Sequence, residues 1–277
     1  MGGETLRYTA LITDLDGTAV ALSSNGSDVS DDTKLAVRHA LDSGRILACA
    51  TGRGWALAKP VVRQLGLQHA CVVEGGTRII DPVSEETLWQ KSMSDDAAAV
   101  AFAAFRQYAP DGLLVDSRRD DFSEDETKDL AESQKIRFPA VKQVTEVPTG
   151  LRYLYLLGVT SQQASHIVNE VNGTGLAAVH TTLSWQGEHL FDVHVTDPGA
   201  TKEHAIVKWR ELLGLQKEQV VGFGDSGNDV PIFEAVGLRV APISGTDELR
   251  GLADYIAPSP AEEGLLHVIN RFLIPKT

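Results

Sequence analysis

Short, continuous apolar segments that end abruptly in small or polar residues recur along the 277-residue chain. Continuous rather than alternating apolarity is typical of strands that are buried on both faces of a parallel sheet covered by helices. The predicted strands of this kind comprise residues 9–13, 46–50, 70–73, 220–223 and 238–241.

Amphipathic segments lie between these apolar runs. Residues 30–41 begin with the capping residue Ser30 and acidic side chains in the first turn, and Gly44 follows as a stop signal. Residues 55–65 and 201–213 have the same character. The alternation of strands and helices predicts an α/β fold with a Rossmann-like parallel-sheet core.

The middle of the chain has a different pattern. The predicted elements there are a helix at 95–108, a strand near 113–115, a strand at 152–159, a helix at 162–171 and paired strands within 176–190. Residues 118–127 are strongly acidic, which is typical of a solvated surface segment. We therefore predict a core built from residues 1–82 and 191–277, an inserted α+β domain at 83–190, and hinges at 81–86 and 197–201.

The composition restricts the partners. A net charge of −13 argues against nucleic acid, which requires a basic face. No apolar run approaches the ~20 residues of a membrane span, and the first ten residues lack a secretory signal pattern. We expect a soluble, cytoplasmic protein with Cys49 and Cys71 as buried, reduced thiols. The oligomeric state cannot be inferred from the sequence.

The segment "LITDLDGTAV" places Asp14 and Asp16 directly after an apolar run. Gly17 permits a tight turn, so both carboxylates can approach one site. Paired carboxylates suit a hard cation such as Mg²⁺, which would also relieve their repulsion. A simple Asp-Gly turn without a ligand is the alternative.

Two further segments could bind an anion. Thr51 and Gly52 in "ATGR" follow the second predicted strand, where a hydroxyl and backbone N–H groups meet at a helix entrance. Lys202 lies at the start of a helix, where it opposes the helix dipole and is more easily explained if it faces an anion. An ordinary helix cap and an exposed surface lysine are the respective alternatives.

The segment "GFGDSGNDVPIFEAVG" follows another predicted strand. Asp225 and Asp229 lie four residues apart, with Asn228 beside them, so the two acids can point into one site as a loop becomes a helix. A capped loop without a ligand is again the alternative. Taken together, the four segments predict a site for one metal and one anion at the carboxyl edge of the sheet.

This combination closely resembles the haloacid dehalogenase-like (HAD) phosphohydrolase superfamily. "DLDGT" matches its nucleophile motif, "TGR" its hydroxyl motif, Lys202 its lysine motif and "GDSGND" its acidic motif. The insert before Lys202 resembles the large α/β cap of the Cof-type subgroup, type IIB. The chain departs from that subgroup at Glu74, where asparagine is usual, at Glu203, where glycine is common, and over residues 240–254.

The resemblance implies a Mg²⁺-dependent phosphatase that acts on a small phosphorylated metabolite through an aspartyl-phosphate. Asp14 would be the nucleophile, and Asp16 would protonate the leaving group and then activate water. The implied metal ligands are Asp14, the backbone carbonyl of Asp16, Asp225 and Asp229, and the implied phosphate-binding residues are Thr51, Gly52, Lys202 and Asn228.

Other functions remain open at this point. A phosphomutase of the same superfamily would pass the phosphoryl group to a sugar phosphate instead of water. A phospho-accepting signalling domain also uses acids, a hydroxyl and a lysine with Mg²⁺, but such domains are about half as long and lack both the cap and the second aspartate. A catalytically silent binding protein is disfavoured because the implied catalytic side chains are all present.

Overall fold

The structure is a computed structural model that describes residues 7–21, 29–110, 113–117, 147, 149–184 and 189–274. The acidic segment at 118–127 lies outside the described residues. The chain forms two compact units: Met1–Trp89 with Thr201–Thr277, and Gln90–Ala200.

The strands of the described residues are, in chain order, β1 (Ala10–Thr13), β2 (Ile46–Cys49), β3 (Cys71–Val73), β4 (Arg78–Ile80), β5 (Thr87–Gln90), β6 (Leu113–Asp116), β7 (Tyr153–Thr160), β8 (Ala178–Leu183), β9 (Leu190–Thr196), β10 (Val220–Phe223), β11 (Leu238–Pro242) and β12 (Tyr255–Ala257). The α-helices are α1 (Asp31–Asp42), α2 (Trp55–Leu65), α3 (Asp95–Tyr108), α4 (Ser161–Gly173), α5 (Lys202–Leu213), α6 (Val230–Ala235), α7 (Asp247–Leu252) and α8 (Gly264–Phe272).

The first unit is built on a parallel sheet with the strand order β12-β11-β10-β1-β2. Strands β1 and β10 are buried along their whole length, as their continuous apolar sequences predict. Because β1 lies between β2 and β10, the loops after these three strands meet at one edge of the sheet. The predicted α/β class with a parallel core is therefore confirmed.

Strand β3 was predicted to be a full member of this parallel sheet, and the structure differs from that prediction. It pairs antiparallel with β4 in a separate sheet of order β3-β4-β5, and a single parallel bridge between Ala50 and Val72 links it to the end of β2. The cause is the tight 3₁₀ turn at Glu74–Gly76, which returns the chain along β3 before it can cross over through a helix.

The helices of the first unit follow the sequence signals closely. The Ser30 hydroxyl accepts the Thr33 N–H at 3.0 Å, and α1 begins at the next residue. In the core, the fully buried Trp209 of α5 donates its indole N–H to the Ala70 carbonyl at 2.6 Å, which ties α5 to the segment before β3. Cys49 and Cys71 are buried and free, as predicted.

The second unit contains an antiparallel sheet of order β6-β7-β9-β8 with helices α3 and α4. Residues with period-2 spacing on β7 and β9, such as Leu154, Leu156, Val193 and Val195, pack with the alanine-rich side of α3 and with α4 in one apolar core. A capping box between Thr160 and Gln163 begins α4.

The unit boundaries fall later than the predicted 83 and 190. At the first boundary, residues 81–86 form the turn between the neighbouring strands β4 and β5, in which Asp81 and Glu86 share a backbone hydrogen bond of 2.9 Å. The hinge predicted at 81–86 thus falls on a turn within the first unit. At the second, β9 extends the antiparallel sheet to Thr196, so the division falls within 197–201. Over the described part of the chain, the helices are too short or too polar to cross a lipid bilayer.

Candidate active site

Asp14 and Asp225 lie at the carboxyl ends of the neighbouring strands β1 and β10. The Asp14 N–H donates to the Phe223 carbonyl at 2.8 Å, which continues the strand pairing by one residue and fixes the Asp14 backbone. Asp225 follows Phe223 after a single glycine. This is the edge at which open α/β sheets bind their ligands.

Three carboxylates converge at this edge. Asp14, Asp225 and Asp229 each offer one oxygen atom, and these atoms all lie within 4.8 Å of one another. Asp229 is fully buried, and its Oδ2 accepts the backbone N–H groups of Asp225 at 3.0 Å and Ser226 at 3.3 Å. Gly224 is required here, because a Cβ atom added to it would lie 2.9 Å from the Asp229 Cγ.

Lys202 is the cation of this cluster. It is the first residue of α5 and is only 4% exposed, and its Nζ lies 3.0 Å from Asp14 Oδ1 and 2.6 Å from Asp229 Oδ1. Gly76 packs against the start of the same helix: its φ is 107°, and an added Cβ would lie 2.6 Å from the Lys202 backbone nitrogen. The turn at Glu74–Gly76 thus helps to set the position of Lys202.

Burial and like charge dominate the electrostatics. Burial raises the pKa of Asp14 well above its usual value, the Asp229 carboxylate adds to the effect, and Lys202 opposes it. Burial and Asp229 likewise raise the pKa of Asp225 to about 6. Burial alone would lower the pKa of Lys202, but Asp14 and Asp229 raise it above its usual value. The cluster therefore has an excess of negative charge that one ammonium group does not cancel.

Asp16 is not part of the group of three carboxylates and pairs with Arg53. Its Oδ2 accepts the Arg53 Nε–H at 2.7 Å, and its Oδ1 accepts a second hydrogen bond from Arg53 Nη2. Gly17, with φ 77°, forms the tight turn that the sequence predicts, and an added Cβ there would lie 2.8 Å from Asp225 Oδ2. The buried Thr18 hydroxyl donates to Asp225 Oδ1 at 2.9 Å.

The remaining predicted phosphate ligands lie in two loops. Thr51 is buried, its N–H donates to the Val72 carbonyl at 3.0 Å, and its hydroxyl accepts the Arg53 N–H at 3.1 Å. Among the described residues other than its two chain neighbours, no atom lies within 4 Å of a Cβ added to Gly52, so this side of the residue is open. Asn228 is exposed, and its Oδ1 accepts the Ser226 hydroxyl at 3.0 Å.

Sequence reasoning did not find Thr18, Arg53 or Gly76 as parts of this arrangement. Arg53 belongs to the quoted "ATGR" segment, so its place beside Thr51 was a usable signal. The contact between Thr18 and Asp225 spans 207 positions of the chain, and no local pattern encodes it.

The residues present fit a divalent metal ion. The donor set consists of carboxylate oxygens, which Mg²⁺ and similar hard cations prefer. Burial, with the neighbouring Asp229 carboxylate, raises the pKa values of Asp14 and Asp225, and a divalent cation would favour their charged forms. Asp14, Asp225 and Asp229 are the described side chains able to hold it.

A model of the haloacid dehalogenase-like hydrolase family matches residues 11–269. The chain therefore belongs to this family of hydrolases, and the resemblance drawn from the motifs is confirmed.

Relatives with known names agree with this membership. A phosphoglycolate phosphatase of Methanothermobacter thermautotrophicus is 37% identical over 83 residues, which are 30% of this chain and 38% of that one. The chain thus spans well under half of that relative. The 5-amino-6-(5-phospho-D-ribitylamino)uracil phosphatase YwtE of Bacillus subtilis is 23% identical over 94% of this chain and 96% of its own.

The fold also has solved counterparts. The HAD subclass IIB sugar phosphatase BT4131 superposes with a TM-score of 0.69 at 18% identity, covering 95% of this chain and 98% of that chain. The likeness covers both units of the chain and supports the α/β fold with an insert.

Proposed function

We propose that this hydrolase is a Mg²⁺-dependent phosphatase that removes the phosphoryl group from a small phosphorylated metabolite. The observation that carries the proposal is Lys202, buried at the carboxyl edge of the sheet with its Nζ 3.0 Å from Asp14 Oδ1. A buried ammonium beside a carboxylate at a strand end suits a phosphoryl group, which needs both a nucleophile and positive charge.

The proposed reaction has two steps. In the first, an Asp14 oxygen attacks phosphorus, the bond from phosphorus to the ester oxygen breaks, and Asp16 gives a proton to the leaving oxygen. In the second, water attacks the aspartyl-phosphate while Asp16 takes up a proton from it, which releases inorganic phosphate and restores Asp14. Lys202, Thr51, Gly52 and Asn228 would hold the phosphoryl oxygens.

Metal binding belongs to the same proposal. Asp14, Asp225, Asp229 and the backbone carbonyl of Asp16 would hold Mg²⁺, which supplies positive charge to the phosphoryl oxygens when it is bound. Thr18 would keep Asp225 oriented through the 2.9 Å hydrogen bond. The loop after β10 would fix Asp229 through its two backbone N–H contacts.

The relatives, rather than the site, support the proposed substrate class. Their names specify phosphoglycolate and a phosphorylated ribitylaminouracil, both small phosphate monoesters. We propose the same class for this chain, and we propose that the second unit is the inserted cap domain of type IIB.

The test is a screen for inorganic phosphate release from many phosphate monoesters, with and without Mg²⁺. We expect turnover that chelation abolishes and that Asp14→Asn lacks, because the amide cannot form the acyl phosphate. A matched control is Asp42→Asn, a substitution at the exposed end of α1. Undiminished turnover by Asp14→Asn would refute the nucleophile assignment, and formation of a phosphorylated isomer without phosphate release would indicate a phosphomutase.

A further inference from the structure

Arg53 holds both carboxylate oxygens of Asp16. Its Nε and Nη2 donate one hydrogen bond to each oxygen, which is the bidentate arrangement that a guanidinium forms with a carboxylate. The two side chains are partly buried, with exposures of 19% for Arg53 and 33% for Asp16. The pair joins the loop after β1 to the loop after β2.

The guanidinium is itself held in place. Arg53 Nη1 donates to the Leu57 carbonyl at 3.1 Å, in the first turn of α2. The Arg53 carbonyl accepts the Glu74 N–H at 2.8 Å, and the Arg53 backbone N–H donates to the Thr51 hydroxyl at 3.1 Å. Arg53 is thus anchored at its backbone and at the end of its side chain, so it can impose an orientation on Asp16.

We infer that Arg53 is a positioning residue that orients the Asp16 side chain toward the leaving oxygen. Each Asp16 oxygen keeps a second lone pair beside its contact with Arg53, and the proton that Asp16 gives to the leaving oxygen would be held there. The inference rests on the proposed function, in which Asp16 supplies that proton. A short aspartate side chain with one third of its surface exposed has several accessible rotamers, and a contact to both oxygens restricts it to one. General acid catalysis requires this restriction, because the proton must be within hydrogen-bond reach of the ester oxygen.

The geometry also distinguishes an orienting role of Arg53 from an effect of its positive charge alone. Lysine would retain the positive charge of Arg53, but a single ammonium group cannot reproduce the planar pair of donors that faces both oxygens. Nε, Nη1 and Nη2 of Arg53 each have a protein acceptor in the structure. Two of these three nitrogen atoms donate to Asp16, so the side chain is arranged to act on Asp16.

The test compares two esters whose leaving groups differ strongly in how much they need a proton. With Mg²⁺ present, kcat/KM is measured for an alkyl phosphate that the wild type hydrolyses and for dinitrophenyl phosphate, whose phenolate departs without protonation. We expect Arg53→Ala to lower kcat/KM for the alkyl ester by about 100-fold, the lower range of general acid catalysis. The value for dinitrophenyl phosphate should stay close to that of the wild type.

Two further variants sharpen the comparison. Arg53→Lys is expected to show most of the same decrease in kcat/KM for the alkyl ester. The control Arg63→Ala removes another arginine, which pairs with Glu85 at 3.3 Å on the surface of α2, and should leave the ratio of the two kcat/KM values unchanged.

Three results would overturn the inference. Equal losses on both esters would mean that Arg53 supports the phosphoryl site or the fold in general. No loss on the alkyl ester would make the contact a structural ion pair, and full recovery in Arg53→Lys would reduce the role of Arg53 to charge.

Failure of the proposed function gives a different result. In that case, Asp16→Asn would also fail to show a selective loss on the alkyl ester, or the wild type would hydrolyse neither compound. A selective loss in Asp16→Asn without one in Arg53→Ala would reject the positioning role alone.

Discussion

Gly76→Ala tests whether the turn after β3 sets the position of Lys202. Gly76 has a φ of 107°, and an added Cβ would lie 2.6 Å from the Lys202 backbone nitrogen and nearer still to the Thr201 carbonyl group. A left-handed φ costs a non-glycine residue about 1–2 kcal/mol. Since backbone atoms cannot rotate away, overpacking adds about 1–3 kcal/mol. The free energy of unfolding should therefore fall by about 2–5 kcal/mol.

The control for this substitution is Gly66→Ala at the end of α2. Gly66 has a φ of 70°, and in the described part of the chain no atom beyond its two neighbours lies within 4 Å of an added Cβ, so only the backbone cost of about 1–2 kcal/mol applies. Urea unfolding of both variants, followed by tryptophan fluorescence and circular dichroism, measures the difference. Phosphate release should also fall in Gly76→Ala alone, because the first turn of α5 must shift. Equal destabilisation and equal activity in the two variants would refute the close approach.

Two further predictions concern the charges of the site. Lys202→Met should lower the free energy of unfolding by about 3–5 kcal/mol, because it leaves buried carboxylates without their cation. It should also lower kcat by about 100-fold or more. Lys208→Met, which breaks an exposed pair on the same helix, should cost less than about 1 kcal/mol; equal unfolding midpoints in urea for the two variants would contradict this. In EDTA, the Asp225 carboxyl group should contribute a decrease in the free energy of unfolding as the pH rises from 3.8 to about 6, because burial raises its pKa and the folded state binds the extra proton over that interval. Asp225→Asn should reduce this decrease by about 1–2 kcal/mol once solvent screening is allowed for, and an unchanged pH dependence in urea titrations would contradict the assignment.

Much of the core could be predicted from local pattern. Strands β1 and β10 are buried on both faces, so their sequences are continuously apolar, and Ser30 and Thr201 cap the helices that follow them. Strand β5 could not be predicted in this way: three of its residues are exposed, so Thr87–Gln90 carries no apolar run. The antiparallel pairing of β3 with β4 was missed as well.

The candidate site also has one part that the sequence pattern predicts and one part that it does not. The meeting of Asp14, Lys202 and Asp225 could be predicted, because each residue follows a predicted strand or begins a predicted helix at one edge of the sheet. The pairing of Asp16 with Arg53 could not, because spacing along the chain places Asp16 beside Asp14 and says nothing about which way its side chain turns. Rotamers of this kind are decided by tertiary contacts.

The turn that begins at Glu74 has a locally unfavourable backbone conformation and helps to position the site. Glu74 is fully buried with a φ of 56°, a conformation that asparagine tolerates better than glutamate. Its carboxylate accepts the Thr77 hydroxyl at 2.8 Å and lies 3.4 Å from Arg78 Nη1, so contacts within the hairpin offset the cost of burying it. Its N–H donates to the Arg53 carbonyl, while Gly76 lies against the start of α5. A strained turn with contacts on both sides fixes the spacing between the two loops, which is the physical reason to keep the strain at this position.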